Sequence, residues 1–250
     1  MARKSMQGQV ALVTGASNGI GAGAARALAG RGAALVLADV DEDAGAALAD
    51  ELGGSFVRCD VRELGQLEAV VAHAIDRHGR IDLAHLNAGV TTGCGLGDDF
   101  DEASYRRAMG VNLDGVVFGV HAVLPAMLAQ GGGSIVATAS MAGIVAPAFD
   151  PVYVANKHAV VGLVRSLGAI YGPQGIRVNA LCPSFADTAI LGEIRPVLAE
   201  QRFPILEVSE VVDAFLGIVD ADGTGECWFV VPGRPSEPFQ FRNAPGPRHA

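Results

Sequence analysis

VALVTGASNGIG, residues 10–21, joins five residues that are apolar or β-branched to a turn holding three glycines. A run with no polar alternation predicts a strand buried on both faces. The glycines predict a tight turn that opens a helix. Gly15 permits the turn, Gly19 lets backbone N–H groups approach an anion, and Gly21 allows close packing of helix on strand. Strand, glycine turn and helix in that order form a seat for a pyrophosphate.

Outward from this stretch the same alternation continues. Strand-like runs lie at 33–39, 55–60, 81–87, 133–139, 176–182 and 228–231. Ala-rich helical patterns fall near 19–31, 41–52, 62–78, 102–130, 152–171 and 208–219. Apolar strands separated by helices predict an α/β fold: a doubly wound, Rossmann-type parallel sheet of seven strands with helices on both faces. With no repeat and no linker, residues 1–250 are read as one domain, with a core at about 8–232 and a C-terminal tail at 233–250. The longest irregular pieces are 89–101, 183–207 and the Pro-rich tail. The first two begin at C-terminal strand ends, where ligands bind in such sheets.

Composition narrows the function. The formal net charge is −9, with no Lys/Arg cluster, which argues against a nucleic-acid partner. No window reaches the roughly 20 apolar residues of a membrane span, and the start MARKSMQGQV lacks the apolar segment of a signal peptide. Cys59, Cys94, Cys182 and Cys227 are scattered, and the six His are dispersed, so no metal is expected. A reduced, cytoplasmic protein is the expectation.

Two further features carry chemistry. Asp39 ends the second strand about 20 residues past the glycines, where a carboxylate can accept from an adenosine ribose 2′-OH. Read alone, it is also a plain helix N-cap. No Lys or Arg occurs between Arg31 and Arg58, and Asp41, Glu42 and Asp43 follow, so NAD is expected over NADP. In PVYVANKHAVVGLV, residues 151–164, Tyr153 and Lys157 stand four apart and stack on one helix face. Alone, the pair reads equally well as surface decoration.

The glycine spacing TG-x-x-x-G-x-G, taken with Tyr153 and Lys157, resembles the short-chain dehydrogenase/reductase family, in its NAD-preferring, single-domain form. Asp60-Val61, Asn87-Ala88-Gly89, Asn112, Ser140 and Pro183 through Thr188 follow in register, so the resemblance covers Val10 to about Pro232. It implies a secondary alcohol/ketone oxidoreductase with Tyr153 as general acid/base and Lys157 lowering its pKa while holding the nicotinamide ribose. Ser140 would hydrogen-bond the reacting oxygen. Asn112 would kink its helix and anchor a water leading from the lysine to solvent. The cofactor set implied is Gly15, Ser17, Asn18, Gly19, Ile20, Gly21, Asp39, Asp60, Val61, Asn87, Ala88, Gly89, Pro183, Phe185 and Thr188, together with Tyr153 and Lys157. Two departures stand out: Leu86 precedes Asn87 where the family has a second Asn, and Ser184 replaces a glycine, at a cost of about 1 kcal/mol if that position needs a positive φ.

The expected substrate wall is apolar: Met141, Ala142, Val145, Phe149, Phe185, Ile190 and Leu191, with Thr91 and Thr92 opposite, though each can equally be core. Arg195 is the one base near the expected lid. A neutral, hydrophobic small molecule fits this wall. The alternatives are a ketoacyl-thioester reductase, which would want NADPH and a basic docking face, and a non-enzymatic dinucleotide sensor, which has no use for the full Ser, Tyr, Lys and Asn set. Members of the family commonly form tetramers. Helices 102–130 and 152–171 are apolar nearly all round, so a homotetramer is expected. The tail is expected to pack across a subunit boundary without extending the sheet, because its prolines lack donors; its composition also suits a disordered segment.

Overall fold

The computed structural model describes residues 4–242. Its strands are β1 (Val10–Thr14), β2 (Ala34–Asp39), β3 (Ser55–Arg58), β4 (Leu83–Leu86), β5 (Gly133–Thr138), β6 (Ile176–Pro183), β7 (Cys227–Val230) and β8 (Glu237–Pro238). The helices are α1 (Gly19–Ala29), α2 (Glu42–Leu52), α3 (Leu64–His78), α4 (Glu102–Met109), α5 (Gly115–Ala129), α6 (Pro151–Tyr171), α7 (Arg195–Glu200) and α8 (Val208–Asp220). One sheet runs in the order β3-β2-β1-β4-β5-β6-β7-β8. The first seven strands are parallel, and β8 is antiparallel to β7.

That eighth strand corrects the reading of the tail. Phe239 N–H donates to Cys227 O at 2.8 Å, and Pro238 sits on the outermost strand, where its missing donor costs nothing. Phe239 and Phe241 stack edge to face, and the Arg165 guanidinium of α6 lies 3.9 Å from the Phe241 centroid. As far as residue 242 the tail packs on its own chain. The rest of the expected tail, 243–250, lies outside the described residues.

All five residues of β1 are buried, as the quoted stretch implies. Each sheet face carries its own core: Leu12, Leu86, Val120 and Val160 in one, Val13, Leu37, Leu83 and Phe215 in the other. Caps set the helix starts. Asp41 and Asp150 accept from the Ala44 and Tyr153 N–H groups, and Glu207 and Glu210 form a capping box on α8.

The single helix expected over 102–130 is α4 and α5 joined by a π-turn at Gly110–Asp114, which contains Asn112. Against the composition argument, Glu102–Ala129 is, among the described residues, the one helix long and apolar enough to cross a membrane; 44% of its most apolar window is buried in the fold. The segment 183–207 is not irregular throughout. It holds a 3-10 turn (Ala189–Ile194) and α7, both too short for a periodic signal.

Candidate active site

The strand order reverses on either side of β1, between β2 and β4, and a cavity of about 560 Å³ opens at that end of the sheet. Its floor is the glycine turn. Gly15 has φ +61°, and a Cβ there would lie 2.7 Å from Ala88 Cα; a Cβ on Gly21 would lie 2.0 Å from the Gly15 carbonyl. Only glycines leave room for these crossings, so the turn is a cradle that side chains would fill. Asp39 lines the neighbouring wall. Its two carboxylate oxygens accept from Ser17 N (2.9 Å) and Asp41 N (3.1 Å). Asp60 is held by a forked Arg62 pair, whose hydrogen bonds keep its carboxyl below the usual range.

At the other end stand Ser140, Tyr153 and Lys157. Tyr153 is on the first turn of α6, set by the Asp150 cap and by Pro151 at the first helical position. Lys157, one turn on, is 3% exposed, donates to Thr138 O at 2.9 Å and lies 5.6 Å from the Tyr153 ring centroid. Burial pushes its ammonium down to about 8. Tyr153 departs from the sequence expectation. Among the protein groups alone, burial pushes its phenol above the usual value and outweighs the opposing hydrogen bond to Ser140. Desolvation, invisible in a sequence, decides that sign.

Nearly all of the expected cofactor and substrate residues line this cavity, including Asn18, Gly19, Ile20, Val61, Asn87, Ala88, Gly89, Pro183, Phe185, Thr188, Thr91, Met141, Phe149, Ile190 and Leu191. Four do not. The Ser17 backbone N–H instead braces the Asp39 carboxylate. Gly21 is pressed on the Gly15 carbonyl. Thr92 is fully buried. Asn112 is also fully buried, which rules out a solvated helix face, and its amide accepts from Val90 N and donates to Val90 O, both at 2.9 Å. The π-turn thus presents Asn112 to the strand-end loop that carries Gly89, as a kink at this position leads one to expect.

Two departures resolve. Among the described residues the only non-glycine with positive φ is Arg202, so Ser184 carries no left-handed strain. Leu86 fills space left by Gly119, where a Cβ would come within 2.6 Å of its Cδ2. Arg195 is ion-paired with Asp187 and lies off the cavity. Of the residues lining the cavity, Lys157 is the only cation.

Sequence reasoning missed Asp150, Thr138 and Phe203 in this wall. The Asp-Pro pair ahead of a helix signals the first. Nothing local signals Phe203. It arrives because α7 folds back and Leu206 bridges to Ala186. Phe149, Phe185 and Phe203 then form an aromatic row, with centroids 5.9 and 5.1 Å apart.

Comparison with known proteins agrees with this geometry. The short chain dehydrogenase family model matches residues 9–198. Cyclohexanol dehydrogenase of Acinetobacter sp. (strain SE19) is 35% identical over 236 residues, covering 90% of this chain and 94% of that protein. The mitochondrial borneol dehydrogenase of Lavandula x intermedia is 33% identical, covering 85% and 84%. The crystal structure of a short-chain type dehydrogenase/reductase from Mycobacterium marinum superposes with a TM-score of 0.85 at 30% identity, covering 92% and 96%.

Proposed function

The chain belongs to the short-chain dehydrogenase family, whose members bind a nicotinamide dinucleotide and act on CH–OH groups, and from that premise we propose that it is an NAD-dependent oxidoreductase interconverting a hydrophobic secondary alcohol and its ketone. The observation that carries this reading is one cavity with the glycine turn and Asp39 at one end and Ser140, Tyr153 and Lys157 at the other. Gly15, Asn18, Gly19 and Ile20 would hold the pyrophosphate side, Asp39 the adenosine ribose, Asp60 and Val61 the adenine, and Thr188 the carboxamide. A bound nicotinamide supplies the two-electron oxidation or reduction at the carbinol carbon.

The protein's part is the proton. In oxidation Tyr153 Oη takes the hydroxyl proton of the alcohol; in reduction it returns a proton to the carbonyl oxygen. Ser140 Oγ hydrogen-bonds that same oxygen. The Lys157 ammonium, 5.6 Å from the Tyr153 ring centroid, would favour the phenolate over the neutral phenol. The aromatic row, in a wall whose one cation is the Lys157 set beside Tyr153, favours a neutral, ring-bearing substrate. Two relatives named for alicyclic alcohols support that class.

Four free thiols support a reducing, cytoplasmic setting. Val117 and Leu128 on α5 and Ile170 on α6 are 40–54% exposed, and we read these faces as the contacts of a homotetramer. A panel of cyclic and linear secondary alcohols with NAD, followed by the absorbance of the reduced cofactor, tests the function. Turnover of carboxylated substrates alone contradicts the substrate class, and no turnover across the panel contradicts the activity.

A further inference from the structure

His85 is a fully buried imidazole in the middle of β4, a place where a polar group needs a reason. Its ring stacks on Phe215 of α8, with centroids 4.2 Å apart and planes at 24°. Its Nε2 lies 3.0 Å from Thr138 Oγ1, and the Thr138 hydroxyl lies 3.0 Å from Asn87 Oδ1. Asn87 Nδ2 in turn donates to the Gly15 carbonyl at 3.1 Å. The direction of every bond follows from the far end. A carbonyl can only accept, so the Asn87 nitrogen faces Gly15 and its oxygen faces Thr138. The single O–H of Thr138 is therefore spent on Asn87, and His85 Nε2 must be the donor. Nδ1 is left bare, in agreement with its having no hydrogen-bond partner. Burial holds the ring neutral, with its pKa pushed down to about 3.

His85 and Asn87 stand two apart on one sheet face, so the polar link between β4 and β5 falls on the face opposite Leu86. Thr138 is the hub: its hydroxyl serves Asn87, and its carbonyl holds Lys157 Nζ. We propose that His85 is a positioning residue for the dinucleotide site, fixing the Thr138 hydroxyl and through it Asn87 and the Gly15 carbonyl of the glycine turn. This rests on the binding of a nicotinamide dinucleotide and not on which one is preferred.

The test is calorimetric binding of NAD and NADP to the full chain and to His85→Leu, His85→Gln, Thr138→Val and the His85→Leu/Thr138→Val pair. His85→Leu removes the donor and should weaken the better-bound dinucleotide about tenfold, as loss of one oriented hydrogen bond does. Its melting temperature should fall by only about 2–4 °C. His85→Gln restores an N–H at the reach of Nε2 and should bind within about threefold of wild type. The pair should bind no more weakly than Thr138→Val alone, because both changes cut the same chain. In turnover, the dinucleotide KM should rise while kcat stays within about twofold. Wild-type-like binding by His85→Leu, equal weakening by Leu and Gln, or additive losses in the pair overturn the proposal. If the leucine variant does not fold, Thr138→Val decides, and unchanged binding there overturns it. A wild type that binds neither dinucleotide refutes the functional reading as well, whereas a binding wild type with indifferent variants refutes the relay alone.

Discussion

Lys157 Nζ lies 5.6 Å from the centroid of the Tyr153 ring and donates to the Thr138 carbonyl at 2.9 Å, almost wholly out of water. A buried ammonium is held there against the preference of the fold, as function requires and stability does not.

The cost should be visible in stability. Burial pushes Lys157 down to about 8, whereas an unfolded lysine titrates near 10.4. Below about pH 8 both states hold the proton and no pH dependence arises. Between about pH 8 and 10 the unfolded chain keeps a proton that the folded chain has lost, so stability rises with pH. Relative to Lys157→Met, the wild type should gain on the order of 1–3 kcal/mol across that window. Urea midpoints at each pH measure it, and a difference that stays flat or falls contradicts it.

The Ser140 hydrogen bond lowers the Tyr153 phenol and partly offsets burial. Ser140→Ala should therefore move the phenol further up. Oxidation needs the phenolate, so the rising limb of kcat/KM for alcohol oxidation should shift to higher pH, with kcat down on the order of 10²-fold or more as general acid–base catalysis weakens. A limb that stays in place would show that another group titrates there.

Much of this was legible in the sequence, for identifiable reasons. The seven parallel strands read correctly because each is a short run rich in apolar residues and ended by a turn, and the glycine turn is where its spacing put it, with positive φ at Gly15 and Gly19 ahead of α1. What was hidden depends on long-range packing. A two-residue strand ending in Pro238 looks like a turn until β7 is beside it. Phe203 joins the cavity only when α7 folds back. The sign of the Tyr153 shift belongs to desolvation, and His85 looks like any strand histidine until Thr138 and Asn87 are placed around it.

The proposed preference for NAD rests on Asp39, whose carboxylate stands on a cavity wall that no Lys or Arg lines at that end. NAD should exceed NADP by at least about tenfold in kcat/KM, since a 2′-phosphate beside a carboxylate is repelled. Asp39→Ala should narrow the ratio chiefly by improving NADP. Equal efficiencies in the wild type contradict the assignment.

Light scattering on the full chain should report a tetramer, and a monomer contradicts the reading of the exposed faces of α5 and α6. A chain ending at Pro232 loses β8 and uncovers the core under Phe241. It should melt several degrees lower, about 2–4 °C for each kcal/mol lost. An unchanged melting temperature would show that the tail adds nothing to the fold.

The most direct measurement is Tyr153→Phe, assayed for dinucleotide binding by calorimetry and for turnover of an accepted alcohol. Phenylalanine keeps the ring and removes only the oxygen to which the proposal assigns the proton transfer. Binding should stay within about threefold while kcat falls by on the order of 10²–10⁴. A variant retaining more than about a tenth of the wild-type kcat, a loss below ~1.4 kcal/mol, would contradict the role of Tyr153 as general acid and base.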